Sequence, residues 1–299
     1  MAGFTDFHSA ATTEPHPYDC YVTVSRDSSV DGRRPLVPLG HLELDAMTES
    51  QVLDRVAGAI AQGVGGSIVT PNVDIWLRSR RDPEIRALVQ ACDIIVADGA
   101  PLMWSAALAG TPLPQRIAGS ALVESLAQRG AAEGWSVFII GGGDDGTADR
   151  AVSALVERYP ALSAVGAVTP PFGFEHDTEV LAALVAEVAT SGSDLVFIGL
   201  GFPKQERLAA LLARRMPCTW FLGCGAGVQM AAGVTRRPPA WVQAAGGEWI
   251  YRLVQDPRHL ARRYLVDDIP AALLLLGGSV RTRLRKAVRR DDHIVGPMW

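Results

Sequence analysis

Six short runs of apolar, mostly β-branched residues recur along the chain, separated by stretches with helical periodicity. The runs cover residues 67–70, 93–97, 136–140, 164–168, 194–200 and 218–222, and helical patterns lie between them, as at 148–158 and 180–189. Strands that alternate with helices of this length form a parallel sheet with helices on both faces. The sequence therefore predicts an α/β fold, a doubly wound, Rossmann-like parallel sheet of about six strands.

Changes in composition predict four segments within the 299 residues. Residues 1–34 are rich in Ser, Thr, Asp and Pro without periodicity, which is typical of a flexible N-terminal tail. Residues 35–245 carry the strand and helix pattern, beginning with a strand pair at 36–44 and a helix that Thr48 caps and that ends near Gln62. Residues 246–290 predict a basic, aromatic, helical appendage, and residues 291–299 a short tail.

The net charge of −4 hides a strong asymmetry. Residues 252–290 hold ten Arg or Lys and three Asp, a local charge of +7, whereas the remainder carries −11. The overall acidity argues against a nucleic-acid-binding protein. The apolar run at 269–276 is too short to span a bilayer, which takes roughly 20 residues. An apolar segment beside a basic one is typical of a helix that lies on an anionic lipid surface, and a solvated helix packed on the domain is the alternative.

Ligands of doubly wound sheets bind beyond the carboxyl ends of the strands, so the residues after each run are the candidate site. Asp98 follows the second run. Thr70 ends the first run, and Asn72 lies in the turn after it. A carboxylate with polar neighbours at this edge predicts a general base for a hydroxyl-bearing substrate. An N-terminal cap of the following helix is the alternative role for Asp98.

Glycine-rich turns follow three of the runs, and such turns bring backbone N–H groups close to a phosphate. The glycines concerned are Gly141 and Gly142, Gly201, and Gly223 with Gly225. The Gly141 turn also fits GxGxxG, but the next strand ends without the acid that a dinucleotide ribose needs. Lys204 and Gln205, at a predicted helix start, either hold an anionic group or decorate an exposed helix end.

The sequence contains no motif typical of a metal site or of a serine hydrolase. The histidines are isolated, the four cysteines are too far apart for a CxxC pattern, and no GxSxG motif occurs. We therefore expect no metal site and no bound cofactor.

A set of motifs occurs in order along the chain: TPNVD at 70–74, DGAPLMW at 98–104, PQRIAGS at 114–120, PPFGF at 170–174, IGLGFPKQE at 198–206, RRPPAW at 236–241 and GEWIYRLVQDPRHLARRY at 247–264. Together they resemble the WecG/TagA/CpsF family of bacterial glycosyltransferases over roughly residues 36–264. The combination of PKQE with the last motif is highly specific for that family.

The resemblance implies the transfer of a sugar, of the N-acetylmannosamine type or another hexose, from a UDP-sugar to a polyprenyl-pyrophosphate-linked acceptor. It implies inversion at the anomeric carbon without a metal, in cell-surface polysaccharide or teichoic acid biosynthesis. It also implies a cytoplasmic protein at the inner face of the membrane and leaves a homo-oligomer open. The family's motif positions correspond to Asp98 as the base, to Thr70, Asn72 and Gln205, and to the C-terminal arginines Arg252, Arg258, Arg262 and Arg263.

With no metal expected, arginines must neutralise the departing diphosphate, and Arg116 and the C-terminal arginines are the candidates. Three positions depart from the family pattern, because Gln115, Ala121 and Gln229 stand where the family usually has acids. These departures keep open a catalytically silent scaffold of a polysaccharide assembly complex. The Gly141 turn keeps open an oxidoreductase or methyltransferase that binds a nucleotide cofactor.

Overall fold

A computed structural model of the chain describes residues 35–144, 146–235, 239, 251, 253–254 and 262–292, without the side chains of 263–264 and 286–292. The predicted N-terminal tail and the predicted domain boundary after residue 245 lie outside the described residues. The elements within them nonetheless include every predicted strand.

The chain starts with an antiparallel hairpin of β1 (Leu36–Leu39) and β2 (Leu42–Asp45), as the sequence predicts. Six parallel strands follow: β3 (Gly66–Val69), β4 (Ile94–Ile95), β5 (Ser136–Ile140), β6 (Ser163–Val168), β7 (Leu195–Ile198) and β8 (Trp220–Gly223). Their order in the sheet is β4-β3-β8-β7-β5-β6. The residues of β7 and β8 are all buried, as expected of strands covered on both faces. The predicted doubly wound sheet is confirmed.

The helices are α1 (Glu49–Ala61), α2 (Val73–Arg81), α3 (Pro83–Gln90), α4 (Ala100–Leu108), α5 (Gly119–Glu133), α6 (Thr147–Arg158), α7 (Thr178–Thr190), α8 (Lys204–Ala213), α9 (Gly227–Ala231) and α10 (Ile269–Asp292). Local chemistry explains several of their starts. Thr48 and Gln51 form a reciprocal capping box before α1, which confirms the predicted cap. Asp82 and Asp177 accept backbone N–H groups before α3 and α7.

Three apolar clusters hold the layers together. One packs α1, α5, α6 and α9 on one face of the sheet, and a second packs α7 and α8 on the other. The third joins the hairpin to α2, α4 and α10, where Leu102 and Ala106 of α4 lie with Ala271 and Leu275 of α10. The predicted C-terminal helix is therefore packed on the domain, with part of its surface in the core. No helix among the described residues is long and apolar enough to cross a membrane.

The hairpin also completes the sheet edge. β4 is an edge strand of two residues, and the carboxylate Oδ2 of Asp45 accepts the N–H of Ile95 at 2.7 Å. Asp45 is buried, so this contact satisfies a backbone donor that water does not reach. The strand next to β3 is thereby fixed, and with it the position of the Asp98 loop that follows.

Candidate functional site

Asp98 lies at the carboxyl edge of the sheet, directly after β4, and pairs with an arginine. Its backbone N–H donates to the Pro71 carbonyl at 2.9 Å, which joins the loops after β4 and β3. Its Oδ1 lies 3.5 Å from Nη1 of Arg116, and the two side chains are 24% and 21% exposed. Gly99, with a φ of 108°, is the N-cap of α4 and has no side chain with which to cap it. The N-cap position thus falls on Gly99 and not on Asp98, whose carboxylate is partly open to solvent beside a cation.

Thr70 and Asn72 occupy the neighbouring loop, after β3. Asn72 caps α2, since its Oδ1 accepts the Ile75 N–H at 3.0 Å, and this contact fixes its side chain at the start of that helix. Thr70 is buried, and a Cβ added at Gly119 would lie 2.9 Å from its Oγ1. The first turn of α5 thus approaches Thr70 as closely as a glycine allows. Structure brings Thr70, Asn72 and Asp98 to one edge, as predicted.

Gln205 joins two further loops at this edge. Its Oε1 accepts the N–H of Gly201 at 3.2 Å and that of Gly225 at 2.9 Å. Its Nε2 donates to Oε1 of Glu206 at 2.8 Å. Gln205 is buried, so its amide fixes the loops after β7 and β8 to each other.

The glycines of these turns are also packing positions. A Cβ added at Gly142 would lie 2.6 Å from the Gly199 carbonyl oxygen, and one at Gly141 would lie 3.0 Å from the Ala148 nitrogen. The Gly142 carbonyl oxygen accepts a hydrogen bond from Nε2 of Gln229 at 3.2 Å, which connects the turn after β5 to α9. An aspartate at position 229 could not donate this hydrogen bond. The departure from the family pattern at Gln229 therefore has a structural consequence.

Lys204, at the start of α8, is paired within the chain. Its Nζ contacts a carboxylate oxygen of Glu175 and lies 5.4 Å from the centre of the Phe172 ring, which is fully exposed. Burial raises the pKa of Glu175, but the hydrogen bond from Lys204, a backbone hydrogen bond and the charges of Lys204 and His176 together outweigh it, so that pKa is lowered overall. Lys204 therefore links α8 to the loop after β6.

The sequence that forms these loops lies within a match to a known protein family. The model described as "Glycosyl transferase WecG/TagA/CpsF family" matches residues 37–285. The chain belongs to this family. It is a glycosyltransferase, which confirms the resemblance and decides against the oxidoreductase or methyltransferase alternative.

A curated relative of this glycosyltransferase is known by its reaction. The chain is 27% identical over 242 residues, 79% of its own length and 90% of the relative's, to the N-acetylglucosaminyldiphosphoundecaprenol N-acetyl-beta-D-mannosaminyltransferase of Bacillus spizizenii. The match covers nearly all of that enzyme's length.

The glycosyltransferase's C-terminal arginines are described only in part. Arg252 and Arg258 lie outside the described residues, as does the side chain of Arg263, and Arg262 is exposed. The described part of this region is a π-helical turn, Arg263–Asp268, and α10. The turn is tied to α2 by Arg81, whose Nη1 lies 3.5 Å from Oδ1 of Asp267. The π-helical turn and α10 thus pack in cis on α2 and α4, the helices that begin beside Asn72 and Asp98.

The structure adds two acids that sequence reasoning missed. Glu175 pairs with Lys204, and Glu206 is buried behind the Gln205 amide. Nothing in the local pattern marks either one, because a glutamate in a helix's first turn is ordinarily exposed. No group of three or more His, Cys, Asp or Glu in the described part of the chain is placed to hold a metal ion.

A cleft of about 700 Å³ lies mainly away from Asp98. Gly65, Gly66 and Thr219, at the amino ends of β3 and β8, line it, and Glu206 and Gly223 line it as well. Asp98 and Arg116 do not. This cleft is therefore distinct from the Asp98–Arg116 pair.

The buried carboxyl of Glu206 should make the free energy of unfolding depend on pH. Burial raises its pKa from 4.5 to about 7, so the folded protein holds a proton that the unfolded chain releases above pH 4.5. Its contribution is present below pH 4.5 and is lost as the pH rises through about 7. We expect Glu206→Gln, which never ionises, to gain melting temperature relative to the native protein between pH 5 and pH 8. Parallel melting curves for the two proteins across this range would contradict the assignment.

Proposed function

We propose that this glycosyltransferase moves a sugar, of the N-acetylmannosamine type or another hexose, from a UDP-sugar to a polyprenyl-pyrophosphate-linked sugar, with inversion and without a metal. The product belongs to a cell-surface polysaccharide or teichoic acid. The observation that carries the proposal is the Asp98–Arg116 pair at the carboxyl edge of the sheet, in a chain of this family. The acceptor class is supported by the Bacillus relative, whose name states an undecaprenol-diphosphate-linked acceptor.

The reaction needs a base, a cation and a held acceptor. Asp98 takes the proton of the acceptor hydroxyl, whose oxygen bonds to the anomeric carbon from the face opposite the diphosphate. The bond from that carbon to the diphosphate oxygen breaks, and UDP leaves with the electron pair. Arg116 has five N–H donors in a planar fork, so it can hold the Asp98 carboxylate and still face a phosphate. It stabilises the charge that grows on the departing group.

The direct test is an assay with UDP-N-acetylmannosamine and other UDP-sugars against an N-acetylglucosaminyl-diphospho-prenyl acceptor, with and without EDTA. We expect UDP release that requires the acceptor and is unchanged by EDTA. Nuclear magnetic resonance of the product should show the anomeric configuration opposite to that of the donor. Retention of configuration, or a need for a divalent metal, would overturn the mechanism. Neither transfer nor UDP binding would favour the scaffold.

We also propose that α10 places the enzyme on an anionic membrane surface, where a prenyl-linked acceptor resides. Support comes from exposed apolar side chains beside exposed basic ones. The apolar set is Leu265, Val266, Ile269, Leu273 and Leu274, with Trp104 and Leu108 on the adjoining α4. Arg281, Arg283 and Arg285 follow on α10 and are also exposed. This combination binds anionic lipid by burial and by charge.

Charge removal tests the membrane proposal. Each basic residue near an anionic surface contributes about 1 kcal/mol, so Arg281→Gln with Arg283→Gln predicts roughly 30-fold weaker binding to phosphatidylglycerol vesicles. The matched control is Arg214→Gln with Arg215→Gln, two exposed arginines at the far end of α8. Co-sedimentation should separate the two double variants. Equal loss in both, or undiminished binding of the α10 variant, would contradict the assignment.

A further inference from the structure

The side-chain amide of Gln205 is held in one orientation. Its Oε1 faces two backbone donors, the N–H groups of Gly201 and Gly225. An amide turned by half a rotation would present its own N–H₂ group to those donors, and both buried N–H groups would lose their acceptor. Some group must therefore hold Nε2 on the opposite side. Oε1 of Glu206 does so at 2.8 Å.

Glu206 has an environment that suits a neutral acceptor. It is 4% exposed, and burial raises its pKa to about 7, so the protonated form is well populated. A protonated carboxyl keeps one carbonyl oxygen, which accepts from Gln205, and carries its proton on the other oxygen. Among the described residues, Oε2 has no hydrogen-bond partner. One carboxyl oxygen is thus engaged by Gln205.

Gly223, the last residue of β8, shows how closely this pair is fitted to the sheet. A Cβ added there would lie 2.8 Å from both Nε2 of Gln205 and Oε1 of Glu206. The donor and acceptor atoms therefore lie directly against the backbone at the carboxyl edge. A displacement of either side chain moves the loops that follow β7 and β8.

We propose that Glu206 is a positioning residue, which fixes the Gln205 amide so that Gly201 and Gly225 are held where the nucleotide-sugar donor binds. The proposal rests on the proposed function for the identity of that donor. Glu206 does not touch the substrate, and its effect passes through Gln205. The two loops it orders lie at the same edge of the sheet as Asp98. They follow β8, which β3 separates from β4, and β7, which lies beyond β8.

Two substitutions of Glu206 by residues of similar volume distinguish the loss of the hydrogen-bond acceptor from a change in packing. Glu206→Gln keeps a carbonyl oxygen for Nε2 of Gln205, whereas Glu206→Met fills the space without one. We expect Glu206→Gln to stay within about threefold of the native kcat/KM, since the hydrogen bond survives. We expect Glu206→Met to raise the KM for the UDP-sugar by roughly 10- to 100-fold and to leave the KM for the acceptor unchanged.

A double-variant cycle tests whether Glu206 acts through Gln205. In the Gln205→Ala background, Glu206→Met should cause no more than about a twofold further loss, because the interaction it breaks is already gone. A full additional loss in that background would overturn the proposal. So would a loss of more than tenfold for Glu206→Gln with an unchanged melting temperature, a result that still decides the matter if Glu206→Met does not fold.

Hydrogen exchange provides a readout that needs no transfer activity. The amides of Gly201 and Gly225 should lose protection in Glu206→Met and keep it in Glu206→Gln, with the remaining core amides unchanged. Unchanged protection at both glycines in Glu206→Met would overturn the proposal. If the native protein transfers no sugar, the proposed function fails while this exchange comparison still reports on Glu206, so the two failures are distinguishable.

Discussion

Asp98→Asn is expected to fold and to bind UDP as the native enzyme does, yet to lose sugar transfer by about 100- to 10,000-fold, the range typical of a lost general base. Asparagine keeps the volume and one oxygen, so the contact with Arg116 at 3.5 Å can persist. What disappears is the group that takes the acceptor proton. The expected change is therefore in kcat, with both KM values close to native.

The measurement is initial-rate kinetics with both substrates, alongside a UDP titration followed by melting temperature. Asp149→Asn, an exposed aspartate in the first turn of α6, is the matched control and should be close to native. Turnover within tenfold of native for Asp98→Asn would remove Asp98 from the role of base.

Arg116→Met is expected to lower kcat/KM by roughly 100- to 1,000-fold, the loss typical of removing one donor that stabilises transition-state charge. Methionine keeps much of the apolar stem, so the change isolates the guanidinium. Arg116→Lys should recover only part of the loss, because an ammonium cannot bridge carboxylate and phosphate as a planar fork does. Arg129→Met, on the exposed side of α5, is the control.

The two variants differ in their expected UDP affinity. If Arg116 faces the diphosphate, UDP binding weakens in Arg116→Met and is unchanged in Asp98→Asn. If Arg116 only orients Asp98, both variants bind UDP equally well. Equal binding with equal loss of kcat would therefore assign Arg116 to positioning and contradict its proposed contact with the leaving group.

The strand positions were predictable because a doubly buried strand must be apolar and β-branched, and six such runs stand out. Their spatial order was not, because hydrophobic periodicity carries no record of neighbours. β5 and β6 lie beyond β7 in the sheet although they precede it in the chain. The second run also exceeds its strand. β4 has two residues, and Ala97 instead accepts the Ile117 N–H at 2.9 Å, so the chain already leaves the sheet there.

The site divided in the same way. The placement of Asp98, Thr70 and Asn72 at one edge was predictable because they follow the ends of parallel strands. The partners of Gln205 and Lys204 could not be predicted, because the burial of Glu206 and Glu175 depends on which loops meet in the fold. The glycines of these turns were predicted as phosphate contacts, and this stays a prediction. Their close packing against Gly199 and Ala148 is a second constraint that only the fold reveals.

The packing of α10 against α4 has a practical consequence for dissecting the enzyme. Ala271 and Leu275 share an apolar cluster with Leu102 and Ala106, a few residues beyond Asp98. A chain shortened before Ile269 would expose this cluster to water close to Asp98, and we expect it to lose activity whatever its arginines do. Substitution of exposed residues on α10 leaves the apolar cluster intact. Such substitutions, unlike truncation, therefore separate what the helix contributes to folding from what it contributes at a lipid surface.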